Sequence, residues 1–242
     1  MPDKRRHRGA HPTDAKLFAP EALGALREAL RDVALLLSKG YAEKSSLKLV
    51  GDHFSLTQRQ RLAVMRSACS DEQQQRRLEH RVTSTDLAGQ AISIDGYNLL
   101  ITLEAALSGA FLFQGRDGCL RDLAGIHGTY RKVDETRPAL KLIGAFLETH
   151  GVARTLWLLD SPVSNSGRLK TLIRHLAKEH YWDWDVRLST NPDAELKRTD
   201  TIVVSADSVI LDDCARWTNR GTEITMTHMP DTRVIFMTEP SA

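Results

Sequence analysis

The stretch that decides the fold is Ser93-Ile94-Asp95-Gly96-Tyr97-Asn98-Leu99-Leu100. An apolar run that begins at Ala91 ends there in a carboxylate, a glycine and an amide, and an apolar stretch of helical character follows. Two later segments repeat the ending. Thr155-Leu156-Trp157-Leu158-Leu159 runs into Asp160, and Thr201-Ile202-Val203-Val204-Ser205 is followed by Asp207. In an open α/β sheet the carboxyl ends of the strands converge on one edge, and ligands bind there. Three strands that each deliver an aspartate to that edge describe a pocket. Clustered carboxylates repel one another, and a hard divalent cation is the usual counter-charge.

Working outward, strand and helix patterns alternate from about Gln90. Strands are expected at 91–95, 154–160, 184–189, 201–205 and 233–237. Helices are expected at 98–112, 119–126, 138–149, 166–179, 192–198 and 208–219. This alternation predicts an α/β fold, a mainly parallel sheet with helices on both faces, over residues 90–240. Residues 1–82 read instead as a small helical N-terminal domain. Pro20 suits a first helical turn. Leu23, Leu26, Leu30, Val33, Ala34 and Leu37 then recur at three- and four-residue steps up to Gly40. Ser55-Leu56-Thr57-Gln58 fits a capping box that opens a second helix. Ser70 to Arg81 reads as an exposed helix or a linker.

The 242 residues suffice for one large domain, or one domain with an appendage. A net charge of +2 leaves whole-chain electrostatics almost silent, but cations cluster locally. Lys4, Arg5, Arg6, His7 and Arg8 form a basic arm, and Arg59, Arg61, Arg66, Arg76, Arg77 and Arg81 fall within one stretch. Two readings stand: a solvated surface, or phosphate contact. Cys69, Cys119 and Cys214 make no short-spaced pair, which excludes a zinc knuckle or CxxC motif and suits a reducing cytoplasm. The basic arm has no apolar run behind it, so no secretory signal is expected. The longest aliphatic run, Val33 to Leu37, is too short for a bilayer, so no membrane partner is expected.

Each candidate residue carries a structural reading beside the chemical one. Asp95 either caps the next helix or binds a ligand. Gly96 allows a sharp turn or a close backbone approach. Asn98 would present its amide beside Asp95. Asp160 is followed by a small polar loop with Ser164, Asn165 and Ser166, then Arg168 and Lys170. Backbone N–H groups at that helix start, with Arg168, form a candidate phosphate grip. Asp207 and Asp193 each stand as an N-cap or as a further ligand. Glu104 is expected as a buried, paired carboxylate. The 114–135 segment is dense in polar groups, among them Asp117, Arg121, Asp122, His127, Tyr130 and Arg131. It reads as a substrate-binding lid or a source of a replacement ligand.

In order, Ile94-Asp95-Gly96-Tyr97-Asn98, the strand ending at Asp160, Asp193 before a short helix, and Val203-Val204-Ser205-Ala206-Asp207 resemble the acidic pattern of PIN-like nucleases. The closest resemblance is to the NYN branch, whose first strand also ends in Asp-Gly-x-Asn. It covers about residues 90–240. It implies a PIN-like, Rossmann-like sheet and an Mg²⁺- or Mn²⁺-dependent ribonuclease. Asp95, Asp160 and Asp207 would lie around the metal, with Asn98 and Asp193 completing the catalytic set. The long segment between Asp95 and Asp160 departs from that pattern. The whole chain also resembles an uncharacterised prokaryotic family (domain of unknown function 434 with its C-terminal companion domain). That resemblance rests on His7-Arg8-Gly9-Ala10-His11-Pro12 and Pro162-Val163-Ser164-Asn165-Ser166-Gly167-Arg168-Leu169, and it implies no activity.

The expected function is therefore metal-assisted phosphodiester hydrolysis of nucleic acid, with RNA favoured by the resemblance alone. Ser164, Asn165, Ser166, Arg168, Lys170, Arg121 and Arg131 would hold the substrate. A second reading is a non-catalytic nucleic-acid-binding or assembly protein, acting through the N-terminal helices on a protein partner or a second copy. A third is an Mg²⁺-dependent small-molecule phosphatase, disfavoured because position 97 is Tyr rather than the second aspartate of a nucleophile pair.

Overall fold

The computed structural model describes residues 7–124 and 130–239. Lys4, Arg5 and Arg6 of the basic arm and His127 lie outside the described residues. Five helices come first: α1 (Asp14–Leu17), α2 (Pro20–Ser38), α3 (Glu43–His53), α4 (Gln58–Ser67) and α5 (Asp71–Glu79). Pro20 occupies the first turn of α2, where its missing N–H removes no intrahelical bond. The capping box lies two residues later than expected. Thr57 caps α4 and Gln60 closes the box, while Ser55 adopts a left-handed φ of 51° in the turn before it. A second box, Ser70 with Gln73, opens α5 as a separate helix.

After a 3-10 turn (Ser84–Leu87) come β1 (Ala91–Asp95), α6 (Gly96–Leu107), β2 (Phe111–Gln114), β3 (Leu120–Arg121), α7 (Thr136–Thr149), β4 (Arg154–Asp160) and α8 (Ser166–Glu179). The chain closes with β5 (Trp184–Ser189), α9 (Pro192–Arg198), β6 (Ile202–Val204), α10 (Ser208–Leu211), β7 (Trp217–Thr218), α11 (Arg220–His228) and β8 (Arg233–Phe236). The main sheet has the order β5-β4-β1-β6-β7, and every pairing is parallel. The fold is α/β, with helices flanking a parallel five-stranded sheet and a helical region before it.

Four expectations are corrected. The helix expected over 98–112 stops at Leu107, because Gly109 turns the chain at φ 73° and Phe111–Gln114 leaves as a strand. No helix covers 119–126 among the described residues; β3 lies there and pairs antiparallel with β2. The helix expected over 208–219 is four residues long, and the short β7 joins the main sheet instead. The last strand does not extend that sheet either: β8 pairs with β2 in a second sheet of order β3-β2-β8.

That small sheet explains where the N-terminal helices sit. Leu26, Leu30, Val33 and Val64 pack with Phe18, Phe113, Ile235 and Met237 in one buried cluster. The helical region thus shares a hydrophobic core with strands drawn from the α/β region. The main core lies between the large sheet and its helices, with Ile92, Ile94, Trp157, Leu100, Ile143 and Ile173 fully buried. Cys69, Cys119 and Cys214 are buried free thiols; burial pushes the Cys69 and Cys214 thiols up to about 11. Among the described residues, no helix is long and apolar enough to cross a membrane.

Gly96 serves the fold. A Cβ there would lie 2.8 Å from the Leu158 carbonyl oxygen and 2.5 Å from Leu159 Cδ2. The glycine lets α6 start directly against β4, which answers the close-approach reading with a strand rather than a ligand. Gly96→Ala is expected to destabilise by about 1–3 kcal/mol through overpacking against backbone that cannot yield. Urea unfolding midpoints of the two proteins check this.

Candidate functional site

The chain moves from β1 to β4 and β5 on one side, then returns to place β6 on the other side of β1. The strand order therefore reverses between β1 and β6. Ligand crevices form outside the carboxyl ends of strands at such a switch point. A cleft of about 510 Å³ opens there, and Asp95, Asn98, Asp160, Asp193 and Asp207 all line it. The residues expected to form the acidic set thus share one cavity.

Asp95 ends β1, and its Oδ2 accepts a hydrogen bond from the Ser205 hydroxyl at 2.8 Å. Burial pushes its carboxyl up to about 7; the Ser205 bond opposes the rise, and the charges of Asp207 and Asp193 add to it. Asp160 ends β4; desolvation and the charge of Asp193 raise its carboxyl from the ordinary value. Asp193 lies in the first turn of α9 and is raised by desolvation and by Asp207, against Lys197. It is not the N-cap: Asn191 caps α9 by accepting from the Ala194 N–H at 3.1 Å. Asp207 does cap. Its Oδ1 accepts from the Val209 N–H at 2.8 Å, and its own N–H donates to Ser205 Oγ at 3.0 Å. Ser205 therefore couples Asp95 to the loop that carries Asp207. Asn98 uses its side-chain oxygen on the Ala206 N–H at 2.9 Å, tying the same loop to α6.

No ion pair involves Asp95, Asp160, Asp193 or Asp207 among the described residues, although Lys197 lies close enough to Asp193 to oppose its rise. Equally, no three His, Cys, Asp or Glu side chains among the described residues converge as a metal-holding group. The carboxylates share a cleft and feel one another's charge, but they form no closed cage.

Other expected site residues fall elsewhere. The N–H groups of Ser166, Arg168 and Leu169 donate to the carbonyls of Val163 and Asn165, so the chain itself takes most of the donors that the phosphate grip at the start of α8 would use. Ser164, Asn165, Ser166, Arg168 and Lys170 flank the cleft beyond Asp160 without lining it. Asn165, at a left-handed φ of 71°, donates instead to the Tyr130 carbonyl at 3.0 Å. Arg121 reaches the cleft wall, yet its guanidinium is buried. It donates to both Asp117 oxygens and to the Ala206 carbonyl, so it holds the Asp207 loop rather than a ligand. Arg131 is exposed.

Glu104 is buried as expected. It pairs with Arg8 from the N-terminal arm and accepts from the hydroxyls of Tyr130 and Thr136. Most of the arginine stretch of the helical region is tied up internally: Arg59 pairs with Asp14, Arg61 with Asp52, Arg66 with Asp122, Arg76 with Glu72, and Arg77 with Asp117 and Asp212, while Arg81 is exposed and lies over the Trp217 ring.

Sequence reasoning missed the opposite wall. Glu43 from α3 and Met65 and Arg66 from α4 line the cleft with Tyr97, Ile101 and Asp122. The N-terminal helices thus form part of the site. Ser205 was missed too; its place immediately after a strand and two residues before Asp207 was the available signal.

Comparison with known proteins places this architecture among uncharacterised relatives. Residues 84–223 match the family described as Domain of unknown function (DUF5616), and residues 25–80 match the one described as Protein of unknown function (DUF434). The chain is 30% identical over 187 residues to the Uncharacterized protein MJ0935 of Methanocaldococcus jannaschii, covering 77% of this chain and 89% of that protein. No solved structure matches the chain.

Proposed function

The chain belongs to the family described as Domain of unknown function (DUF5616); from the geometry of its acidic cleft we propose that it is a metal-dependent nuclease, PIN-like and of NYN type, that hydrolyses phosphodiester bonds in RNA. One observation carries this reading. Four aspartates from three strand ends and a helix start line one switch-point cleft, and none forms an ion pair among the described residues.

The donor chemistry fits a hard divalent cation such as Mg²⁺ or Mn²⁺, since all the candidate ligands are oxygens. The fit is to an ion that takes one or two protein carboxylates and completes its shell with water and substrate phosphate, because no three carboxylates converge among the described residues. One or two of Asp95, Asp160 and Asp207 would hold it, with Asn98 and Asp193 beside them. When bound, such an ion supplies Lewis-acid stabilisation of charge on the phosphoryl oxygens.

The chain's own residues do the rest. Ser205 holds Asp95 and the Asp207 loop in one register. Met65, Tyr97 and Ile101 add apolar surface to the wall they share with Glu43, Arg66 and Asp122. Water attacks phosphorus, with Asp193 on the exposed rim taking its proton. The phosphorus bond to the leaving nucleoside oxygen breaks as the new one forms, and that oxygen takes a proton from solvent.

The test is cleavage of end-labelled RNA and single-stranded DNA in Mg²⁺, Mn²⁺ or EDTA, with wild type and Asp160→Asn. Cleavage should require the metal and fall by about 10²-fold or more in the variant. No cleavage with any metal, or equal cleavage by both proteins, overturns the reading. A non-catalytic nucleic-acid-binding protein is the second reading, favoured by the capping role of Asp207 and by the open spacing of the carboxylates. A protein partner or second copy at the N-terminal helices belongs to that proposal, where Leu35, Tyr41 and Leu49 are exposed.

A further inference from the structure

The pairing of the helical region's arginines directs attention to cations without acidic partners. Among the described residues, the ion pairs made by α7 and α8 with their flanks are His7 with Asp134 and Glu135, His150 with Glu223, Arg174 with Asp185 and His175 with Glu179. Arg131, Lys132, Arg137, Lys141, Arg168 and Lys170 have no acidic partner among the described residues. All are exposed except Lys170, which is half-buried. Arg137 and Lys141 stand one turn apart on the same side of α7.

These cations are gathered by the fold. α7 leads into β4 and α8 leaves it, so both helices begin at the carboxyl edge of the sheet, and they pack together. The segment before α7 is tied to the loop before α8: the Tyr130 N–H donates to the Ser164 carbonyl at 3.2 Å, and Asn165 Nδ2 donates to the Tyr130 carbonyl at 3.0 Å. The Tyr130 ring packs on Tyr97, 5.2 Å between centroids, and Tyr97 is a wall of the acidic cleft. The basic face and the cleft therefore adjoin.

We infer that the α7–α8 face is the track that holds the phosphodiester backbone of a nucleic acid beside the acidic cleft. The inference rests on the nuclease reading for the cleft, but its chemistry is separate. A cleft of carboxylates repels a polyanion at a distance, and flanking unpaired cations reverse that field at the approach. Backbone contact is electrostatic and needs no apolar anchor, whereas protein interfaces centre on buried aromatic or aliphatic anchors. Among the described residues, the exposed large hydrophobic side chains are Leu35, Tyr41, Leu49, Leu78, Tyr181, Val209, Met226 and Phe236, and none of these belongs to this face.

The experiment measures anisotropy of a labelled single-stranded RNA, and of a DNA of the same sequence, in EDTA across a salt series. The proteins are wild type, the double variant Arg137→Glu with Lys141→Glu, and a charge-matched control, Lys16→Glu with Lys39→Glu, on the exposed N-terminal helices. The face variant should bind at least about tenfold more weakly, with a log–log salt slope shallower by about 1.4 for two lost single-strand contacts. The control should match wild type.

Equal loss in both variants, or none in the face variant, overturns the inference. So does displacement of the RNA by poly-glutamate at equal charge, which would point to an acidic protein instead. Loss of binding in the face variant without cleavage by any protein leaves the track standing and removes the nuclease reading. Metal-dependent cleavage with unchanged binding does the reverse.

Discussion

Asp95→Asn is expected to make the metal-free protein more stable at pH 8 while it removes metal-dependent cleavage. Burial pushes the Asp95 carboxyl from an ordinary 3.8 up to about 7. A carboxyl raised in the folded state favours folding when protonated. Its destabilising charge is absent below about pH 4, grows as the pH climbs toward 7, and is fully present above that. The interval corresponds to about 2–4 kcal/mol, the lower figure allowing for solvent at the exposed edge of the cleft. Asparagine keeps the shape and an acceptor for Ser205 without the charge.

Thermal melts in EDTA should therefore show wild type losing stability between pH 5 and 8 relative to the variant, with the two curves converging near pH 4. At about 2–4 °C per kcal/mol for a chain of this size, the difference at pH 8 is about 4–16 °C. Parallel curves would show that Asp95 is not the group under strain. Opposite movements of stability and activity in a single substitution would mark a carboxylate kept for chemistry at the expense of the fold.

The second large effect is structural. Asp117 is almost fully buried and receives the Arg77 and Arg121 guanidiniums, both themselves buried. Burial alone would raise its carboxyl; Arg121 and Arg77 outweigh that and hold it well below the ordinary range. Asp117→Ala leaves the buried Arg121 without an acidic partner among the described residues and Arg77 with Asp212 alone, and should cost about 3–5 kcal/mol. The loss should also loosen the Asp207 loop, because Arg121 donates to the Ala206 carbonyl at 2.7 Å. Asp71→Asn is the comparison. It breaks the Arg116 pair, whose carboxylate is 73% exposed, and should cost less than about 1 kcal/mol. Urea unfolding of both variants decides the matter; equal costs would show that burial of the network adds nothing. In wild type, the stabilisation from Asp117 is complete above about pH 4 and lost only as the pH falls below the ordinary carboxylate range.

The parts legible from the chain were those with a local period. The five residues of β1, the run into Asp160, the helix over 166–179 and the strand over 184–189 stand where their patterns placed them. Each buries one or both faces, so hydrophobicity tracks geometry residue by residue. Phe111 and Leu112, the first half of β2, fall at the end of the helical pattern over 98–112 because an apolar run carries no period that separates a buried strand from a buried helix. Two-residue strands such as Trp217–Thr218 have no period at all.

The candidate site divides in the same way. Asp95, Asp160, Asp193 and Asp207 were visible, because an acid at a strand end or helix start is a local event and the α/β rule sends strand ends to one edge. The wall supplied by Glu43, Met65 and Arg66 was invisible, since it depends on α3 and α4 packing beside a second sheet that no short pattern announces.

The sequence by itself determined the α/β class, the carboxyl-edge address of four aspartates and the helical character of residues 14–79. All of these follow from short-range periodicity and the chirality of strand–helix–strand connections. Only the tertiary structure decided which charges remain available. Arg59, Arg66 and Arg77 meet acids 45, 56 and 40 residues away, and Glu104 meets Arg8 across 96. Pairing over such separations is set by how the helices dock, and a residue's neighbours in the chain do not report it.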